Sequence, residues 1–254
     1  MAIDKAVDST VLDGYFSDIA DAIRDKDGTQ NTYTPAQMPT AIENIPTGGG
    51  SSHNWEALGY SGEPASITSD YNYSKSILDN WDASQTSLYQ KFYQDSALRF
   101  MPLVDTSNAT DMSQMFQICN FLVDVPLLNT ENVNNMSSMF QSCDKIVTIP
   151  LFDTKNVINM GSMFKNCTAL KNVPLLNTEK VKGTNAFQNT FSSCPNLTDA
   201  SLDNILQMCI NATSYTSAKT LVRIGITSTF YPASRIEALP HYQDFIDAGW
   251  TTGY

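Results

Sequence analysis

Residues 156–167 read NVINMGSMFKNC, and closely similar stretches occur at 108–119 and 132–143. The two methionines, the phenylalanine and the cysteine of this stretch lie at positions 160, 163, 164 and 167, so they share one face if the stretch is helical. Methionine and cysteine on one face could be a metal or redox site, or the four side chains could be a buried apolar stripe. The recurrence of the pattern along the chain favours the buried stripe.

The recurrence has a period of 24 residues. Segments 88–111, 112–135 and 136–159 align, 160–186 carries three extra residues, and a fifth, partial copy begins at residue 187. The matched columns hold phenylalanine (Phe92, Phe116, Phe140, Phe164, Phe191), cysteine (Cys119, Cys143, Cys167, Cys194), proline (Pro102, Pro126, Pro150, Pro174) and threonine (Thr106, Thr130, Thr154, Thr178). A period of roughly 20–29 residues with recurring apolar positions is typical of leucine-rich repeats. We therefore predict an α/β solenoid with helical caps and a small helical N-terminal anchor.

Each unit is predicted to form one coil of the solenoid. The pattern MxxMFxxC predicts a short helical turn, LxxVPL a short strand, and NTENV the return of the chain. Proline cannot donate a hydrogen bond to a neighbouring strand, so we expect it to end the strand. One coil cannot bury its own apolar face, and neighbouring coils must therefore stack.

The chain is predicted to have five parts. Residues 1–45 form a helical segment for anchoring or oligomerisation, and residues 46–54 form a Gly/Ser linker. Residues 55–87 form a helical N-terminal cap, 88–197 the repeats, and 198–254 the C-terminal capping region.

The C-terminal region is predicted to contain three elements. Residues 199–214 have the spacing of an amphipathic helix, 219–226 read as a strand, and 234–250 read as a closing helix.

The N-terminal segment carries apolar side chains at helical spacing, and we take these as a candidate anchoring face. They are Leu12, Tyr15, Phe16, Ile19 and Ile23. So small a unit buries little surface alone. The face is expected to pack on a partner, on copies of itself or on a larger assembly; the alternative is a hairpin folded back on the main domain.

The charge balance disfavours several classes of partner. The net charge is −11 and there is no run of lysine and arginine, so nucleic acid is not expected as a partner. No stretch approaches the roughly 18 apolar residues of a membrane helix, so we expect no membrane insertion. The first residues lack the basic and apolar regions of a signal peptide, so we expect the chain to be made in a cytosol and not exported by the general pathway.

Catalytic patterns are missing from the sequence. Its two histidines, His53 and His241, are far apart in the chain, and no nucleophile-elbow or phosphate-loop motif occurs. We predict no enzyme activity, no metal and no cofactor. The cysteine column could form disulfides by spacing, but a cytoplasmic origin argues against this, and buried free thiols acting as small apolar groups are the preferred interpretation.

The repeats resemble a known family. The stretch DTSNATDMSQMFQIC (105–119) resembles the units DTSNVTNMSSMFxxC of BspA-like leucine-rich-repeat proteins, which occur on bacterial surfaces. The segments 19–45 and 201–254 resemble flanking segments of tail-fibre and other virion proteins of phages that infect Firmicutes. The resemblance implies a virion protein with an interaction domain.

Binding is expected at positions beside the predicted strands that vary between units and point outward. These are Arg99, Phe100, Val123, Asp124, Val147, Thr148, Lys171 and Asn172. Simple divergence of solvent-facing positions would also produce this variation.

The combined expectation is a phage adhesion protein found in the virion. The N-terminal segment would bind other virion proteins, and the repeats would bind a host receptor, either protein or glycan. A homo-oligomer is expected, with a trimer as one form. The alternatives are a head-attached fibre or decoration protein, a bacterial surface adhesin, and a glycan-cleaving enzyme for which the sequence shows no site.

Overall fold

The computed structural model describes residues 73–74 and 76–254, which lie in one compact unit of the chain, Glu63–Tyr254. The predicted anchoring face, the linker 46–54 and most of the predicted N-terminal cap lie outside the described residues. Within that cap, residues 73–74 and 76–79 are helical. The domain boundaries proposed from the sequence stay predictions.

The repeat units stack directly on one another through backbone hydrogen bonds. Parallel bridges join Ser87 to Asp111, Asp111 to Asn135, and Asn135 to Asn159, so each bridge spans one 24-residue period. The N–H groups of Phe92, Phe116 and Phe140 each donate to a carbonyl of the next unit at 2.9 Å. The same backbone atoms are paired from one unit to the next. Corresponding residues of neighbouring units therefore lie side by side in the stack.

A column of stacked rings runs through the core. Consecutive phenylalanine rings are 5.4 to 5.8 Å apart, from Phe92 through Phe116, Phe140 and Phe164 to Phe191. Trp81 extends the column beyond Phe92 at 6.5 Å. Offset stacking at such distances adds to the burial of these rings. The regular spacing of phenylalanine along the chain thus becomes one continuous column in the fold.

The MxxMFxxC segment does not form the predicted helical turn. It is a series of tight turns in which two residues per unit have left-handed backbone angles, for example Gln114 (φ 57°) and Ile118 (φ 65°). The apolar side chains are nevertheless buried as predicted: Met112, Met115, Phe116 and Cys119 are all 0% exposed. The spacing therefore predicted the buried face correctly and the backbone conformation wrongly.

The predicted LxxVPL strands are reduced to single bridges. Phe100 pairs with Asp124, and Thr148 pairs with Asn172, immediately before the consensus proline segment. After each bridge the proline has no N–H to continue the pairing. The expected end of the strand at proline is therefore observed, but the strand before it is only one residue long.

Polar side chains join neighbouring units where the chain returns. The hydroxyls of Thr106, Thr130 and Thr154 are buried and donate to carbonyls of the next unit at 2.8 to 2.9 Å. The side-chain amides of Asn132 and Asn156 donate to carbonyls of the preceding unit at 2.9 and 2.8 Å. These bonds satisfy carbonyls that regular strands would otherwise pair.

The first C-terminal helix is confirmed. Helix α1 covers Asp199–Asn211, and Thr198 caps it by accepting a hydrogen bond from the Ser201 N–H. Its buried face includes Leu202, Ile205, Leu206 and Cys209. This face covers apolar side chains at the end of the stack, as a terminal cap must.

The other two C-terminal predictions were wrong in detail. The predicted strand 219–226 is helix α2, Leu221–Ile224, because Thr220 caps its N-terminus and Gly225 ends it in a left-handed conformation. The predicted closing helix is two helices, α3 (Ala233–Glu237) and α4 (Tyr242–Asp247). Pro240 lies between them, and proline is not tolerated inside a helix.

We expect Ile118→Asn to stabilise the fold by about 1 kcal/mol. A β-branched residue in the left-handed region is strained, whereas asparagine accepts this conformation readily. The isoleucine is only partly buried, so its removal loses limited apolar contact. Urea unfolding of the full chain measures the change in the free energy of unfolding.

The reverse substitution at the same place in another unit is the matched control. Asn166 has φ 62°, and Asn166→Ile should destabilise the protein by a similar amount. Two changes of the same sign would contradict the assignment of backbone strain to Ile118.

Candidate functional site

The predicted binding residues lie on the surface of the stack. Seven of the eight are exposed, and Phe100 is partly buried. The Val123 N–H donates to the Arg99 carbonyl at 2.8 Å, and the Lys171 N–H donates to the Val147 carbonyl at 2.9 Å. With the bridges of Phe100 to Asp124 and Thr148 to Asn172, the structure brings the eight residues together as two neighbouring sets of four.

A column of exposed leucines follows the same segments and was missed in the sequence. Each leucine comes directly after the consensus proline of its unit. The four are Leu103, Leu127, Leu151 and Leu175, and they are 69%, 60%, 62% and 43% exposed. We call this column, with the eight predicted residues that precede it, the leucine face.

The exposure of the leucines follows from the extended segment around each proline. Val125 and Leu128 are buried, while Leu127 between them is exposed. The two buried side chains are three residues apart. A polyproline-like segment has three residues per turn and therefore points every third side chain in the same direction. A strand alternates with a period of two, so two adjacent leucines cannot both point to its core. The pair Leu127–Leu128 was the sequence signal for an outward leucine.

The leucine face is apolar with scattered charges. Val123 and Val147 add exposed apolar area at 39% and 40%, and Phe121 is 49% exposed. The charged positions among the eight predicted residues are Arg99, Asp124 and Lys171, of mixed sign. Repeated exposed apolar side chains rimmed by polar residues mark interaction surfaces. The arrangement is suited to binding.

The cysteine column is a structural feature of the core. Cys119, Cys143, Cys167 and Cys194 are free thiols with 0% exposure. Each Sγ donates a hydrogen bond to the carbonyl of a phenylalanine in the preceding unit, at 2.9 to 3.1 Å. The sequence predicted buried thiols acting as apolar groups; the hydrogen bond adds a reason for cysteine over alanine.

Burial also makes these thiols poor nucleophiles. Desolvation raises the pKa of Cys119 and of Cys194 to about 12, from an ordinary value of 9.0. The pKa values of Cys143, Cys167 and Cys209 are raised for the same reason. The thiolate is the form that attacks or binds a metal, and burial favours the protonated thiol at neutral pH.

The remaining candidate chemical groups are the metal-ligating side chains and the two histidines. Within the described residues, no group of three His, Cys, Asp or Glu side chains is arranged to hold a metal ion. The Nδ1 of His241 lies 2.8 Å from Asp203, a contact that ties the start of α4 to α1. His53 and the candidate anchoring residues Leu12, Tyr15, Phe16, Ile19 and Ile23 lie outside the described residues. In the part of the chain that is described, no helix is long and apolar enough to cross a membrane.

Comparison with known proteins gives one similarity. Residues 86–205 match the sequence profile of a family described as Mycoplasma protein of unknown function, DUF285. The match begins at the first unit of the stack and ends inside α1, so it covers the leucine face. No curated protein and no solved structure matches the chain significantly.

The buried thiols predict a loss of stability in alkaline solution. Below pH 9.0 the thiols are protonated in both the folded and the unfolded chain. Above it the unfolded chain releases protons that the folded chain retains, because its thiol pKa values are raised. The free energy of unfolding should therefore fall as pH rises, by up to about 1.4 kcal/mol per pH unit for each thiol.

Unfolding between pH 8 and pH 10 tests this. Tyrosines, with an ordinary pKa of 10.0, add to the decline in the upper part of this range, but they do so equally in the parent protein and in a cysteine variant. Cys119→Ser and Cys194→Ser combined should give a visibly shallower decline than the parent protein. Equal slopes for the variant and the parent would show that the thiols do not cause the decline.

Proposed function

We propose that this chain is a non-enzymatic adhesion protein of a phage particle. The repeats are a BspA-like solenoid of leucine-rich-repeat type, and their leucine face binds a receptor on the host surface. The N-terminal segment binds other virion proteins and holds the chain in a homo-oligomer, for which a trimer is one candidate form. A tail fibre is the preferred place in the particle, with a head-attached fibre or decoration protein as the alternative.

The recurrence of an exposed leucine carries the binding proposal. Other matched columns have packing reasons: the phenylalanines stack, the cysteines and threonines bond to neighbouring units, and the prolines end the bridges. The leucines are 43–69% exposed, so core packing does not require them. Positions that vary freely in solvent would not all be leucine. A partner that covers the column accounts for the choice of residue in all four units.

The virion part of the proposal depends on the flanking segments. Residues 19–45 and 201–254 resemble the flanks of phage tail and fibre proteins. A bacterial surface adhesin is the second candidate, because BspA-like repeats occur in such proteins. Immunogold labelling of particles purified from a culture that carries the gene separates the two. Label on a tail or capsid supports the phage proposal; label only on cell envelopes overturns it in favour of the adhesin.

The leucine face makes a further prediction for adsorption. Replacing the two central leucines, Leu127→Ser with Leu151→Ser, should weaken binding of the full-length protein to cells of the host strain on the order of a hundredfold. Each side chain is more than half exposed and would contribute about 1.4 kcal/mol when covered. Stability should change little, because these side chains have few contacts to lose. Binding of fluorescently labelled protein measures the effect.

An exposed valine away from the face provides a matched control. Val222 lies in α2 and is 41% exposed, so Val222→Ser removes a similar apolar side chain from another surface. This variant should adsorb as the parent protein does. If the leucine variant is folded and still adsorbs normally, the leucine face is not the receptor site.

A further inference from the structure

An open cavity lies where the fourth unit departs from the 24-residue period. Its volume is about 290 Å³. Six polar side chains line it: Ser137, Asn159, Ser162, Asn185, Gln188 and Asn189. Gly161 completes the lining. The position is separate from the leucine face in sequence, since its residues belong to the turn segments and to the insertion.

The cavity lies beside the three extra residues of the fourth unit. In this part of the chain Gly183 has φ 102°. The Arg223 guanidinium donates to the Thr184 carbonyl at 2.7 Å and to the Tyr215 hydroxyl at 3.0 Å, and so ties this segment to α2 and to Tyr215. A Cβ on Gly161 would lie 2.4 Å from the Asn185 carbonyl oxygen, so only glycine permits this approach.

Backbone hydrogen bonds fix the cavity wall. The Ser162 N–H donates to the Gln188 carbonyl at 2.9 Å, and the Gln188 N–H donates to the Asn185 carbonyl at 3.1 Å. The Asn189 N–H donates to the Arg223 carbonyl at 2.8 Å. The backbone that carries the lining side chains is therefore held in place by hydrogen bonds within the protein.

The lining side chains have unused hydrogen-bonding capacity. The side chains of Ser137, Ser162, Asn185, Gln188 and Asn189 reach solvent, and none of them donates to or accepts from another protein group among the described residues. At the other end of the stack the corresponding amides are used: the Gln90 side chain donates to Gln114 at 2.7 Å. Free amides and hydroxyls thus converge at the insertion, where each amide offers both donors and an acceptor.

The chemistry of the lining selects a class of ligand. It contains no carboxylate to hold a cation and no lysine or arginine to hold an anion. It also contains no apolar or aromatic side chain that would cover an apolar ligand. Neutral donors and acceptors around a small, open cavity fit a neutral molecule with several hydroxyls. We propose that this cavity binds one unit of an uncharged saccharide.

Saturation-transfer NMR on the full-length protein tests the proposal with defined probes. N-acetyl-D-glucosamine and D-galactose are the neutral probes, and D-glucuronate and D-glucosamine are the charged ones. At least one neutral probe should bind, with a dissociation constant on the order of 1 mM, and its charged counterparts should bind no better. The trisaccharide of N-acetyl-D-glucosamine then separates a free sugar from a polymer end: tighter binding than the single sugar indicates a polymer.

Side-chain truncation locates the binding. Asn185→Ala with Gln188→Ala should weaken the interaction about tenfold or more. Gln117→Ala with Gln141→Ala removes two amides elsewhere on the stack and should leave binding unchanged. If the first variant does not fold, Gln188→Glu keeps the size of the side chain while removing its donors, and should also weaken binding.

Two results would overturn the proposal. One is that neither neutral probe binds at tens of millimolar; the other is that binding persists unchanged in the folded cavity variants. Both are independent of adsorption through the leucine face, so failure here leaves the proposed adhesion function standing, and failure of adsorption leaves this site standing.

Discussion

Backbone pairing between units, at the spacing of one period, is the constraint on which the other features depend. Phe116, Phe140 and their counterparts donate to the next unit at nearly constant distance, so every unit repeats the path of its neighbour. The left-handed residues, two in each unit, bend the chain so that these N–H groups point along the stack. A side chain that fits one interface must then fit all of them. Identical neighbours explain why phenylalanine, cysteine and threonine recur.

The same constraint divides the surface into columns. A residue at an outward position of one unit lies beside the residue at the same position of the next unit. One exposed leucine per unit therefore forms a line of four along the stack. An extended line of similar groups favours a long or repetitive partner surface over a small ligand. A small-ligand cavity needs a break in the period, and the insertion in the fourth unit is where the described stack has one. The Arg223 side chain of α2 donates a hydrogen bond to the Thr184 carbonyl at this break, so the C-terminal cap contacts the insertion directly.

The sequence was sufficient for the period, the buried residues and α1. Columns of Phe, Met and Cys at one spacing indicate a stacked core, and the spacing that marks a buried face is the same in a helix and in a series of tight turns. For that reason the spacing could not predict the backbone conformation of the MxxMFxxC segment. The residue types gave no help either, because Ile118 adopts a left-handed conformation that isoleucine normally avoids. The column of exposed leucines was missed because recurrence was taken to mean burial. The cavity was beyond prediction, since it depends on where three extra residues are accommodated.

The two proposed sites follow different physical rules, and this explains their difference in composition. On the leucine face, affinity would come from apolar area summed over units, so that each leucine adds a similar increment and mixed charges at the rim adjust specificity. At the cavity, affinity would come from hydrogen bonds to several side chains, so a ligand whose hydroxyls match these groups binds more tightly than one that leaves an amide unpaired. The first mechanism gives adhesion that tolerates variation in the partner, and the second discriminates between closely related ligands. A stack with one interrupted period can carry both kinds of site. The insertion lies among the turn segments of a single unit, whereas the proline and leucine columns keep their 24-residue spacing through Pro174 and Leu175.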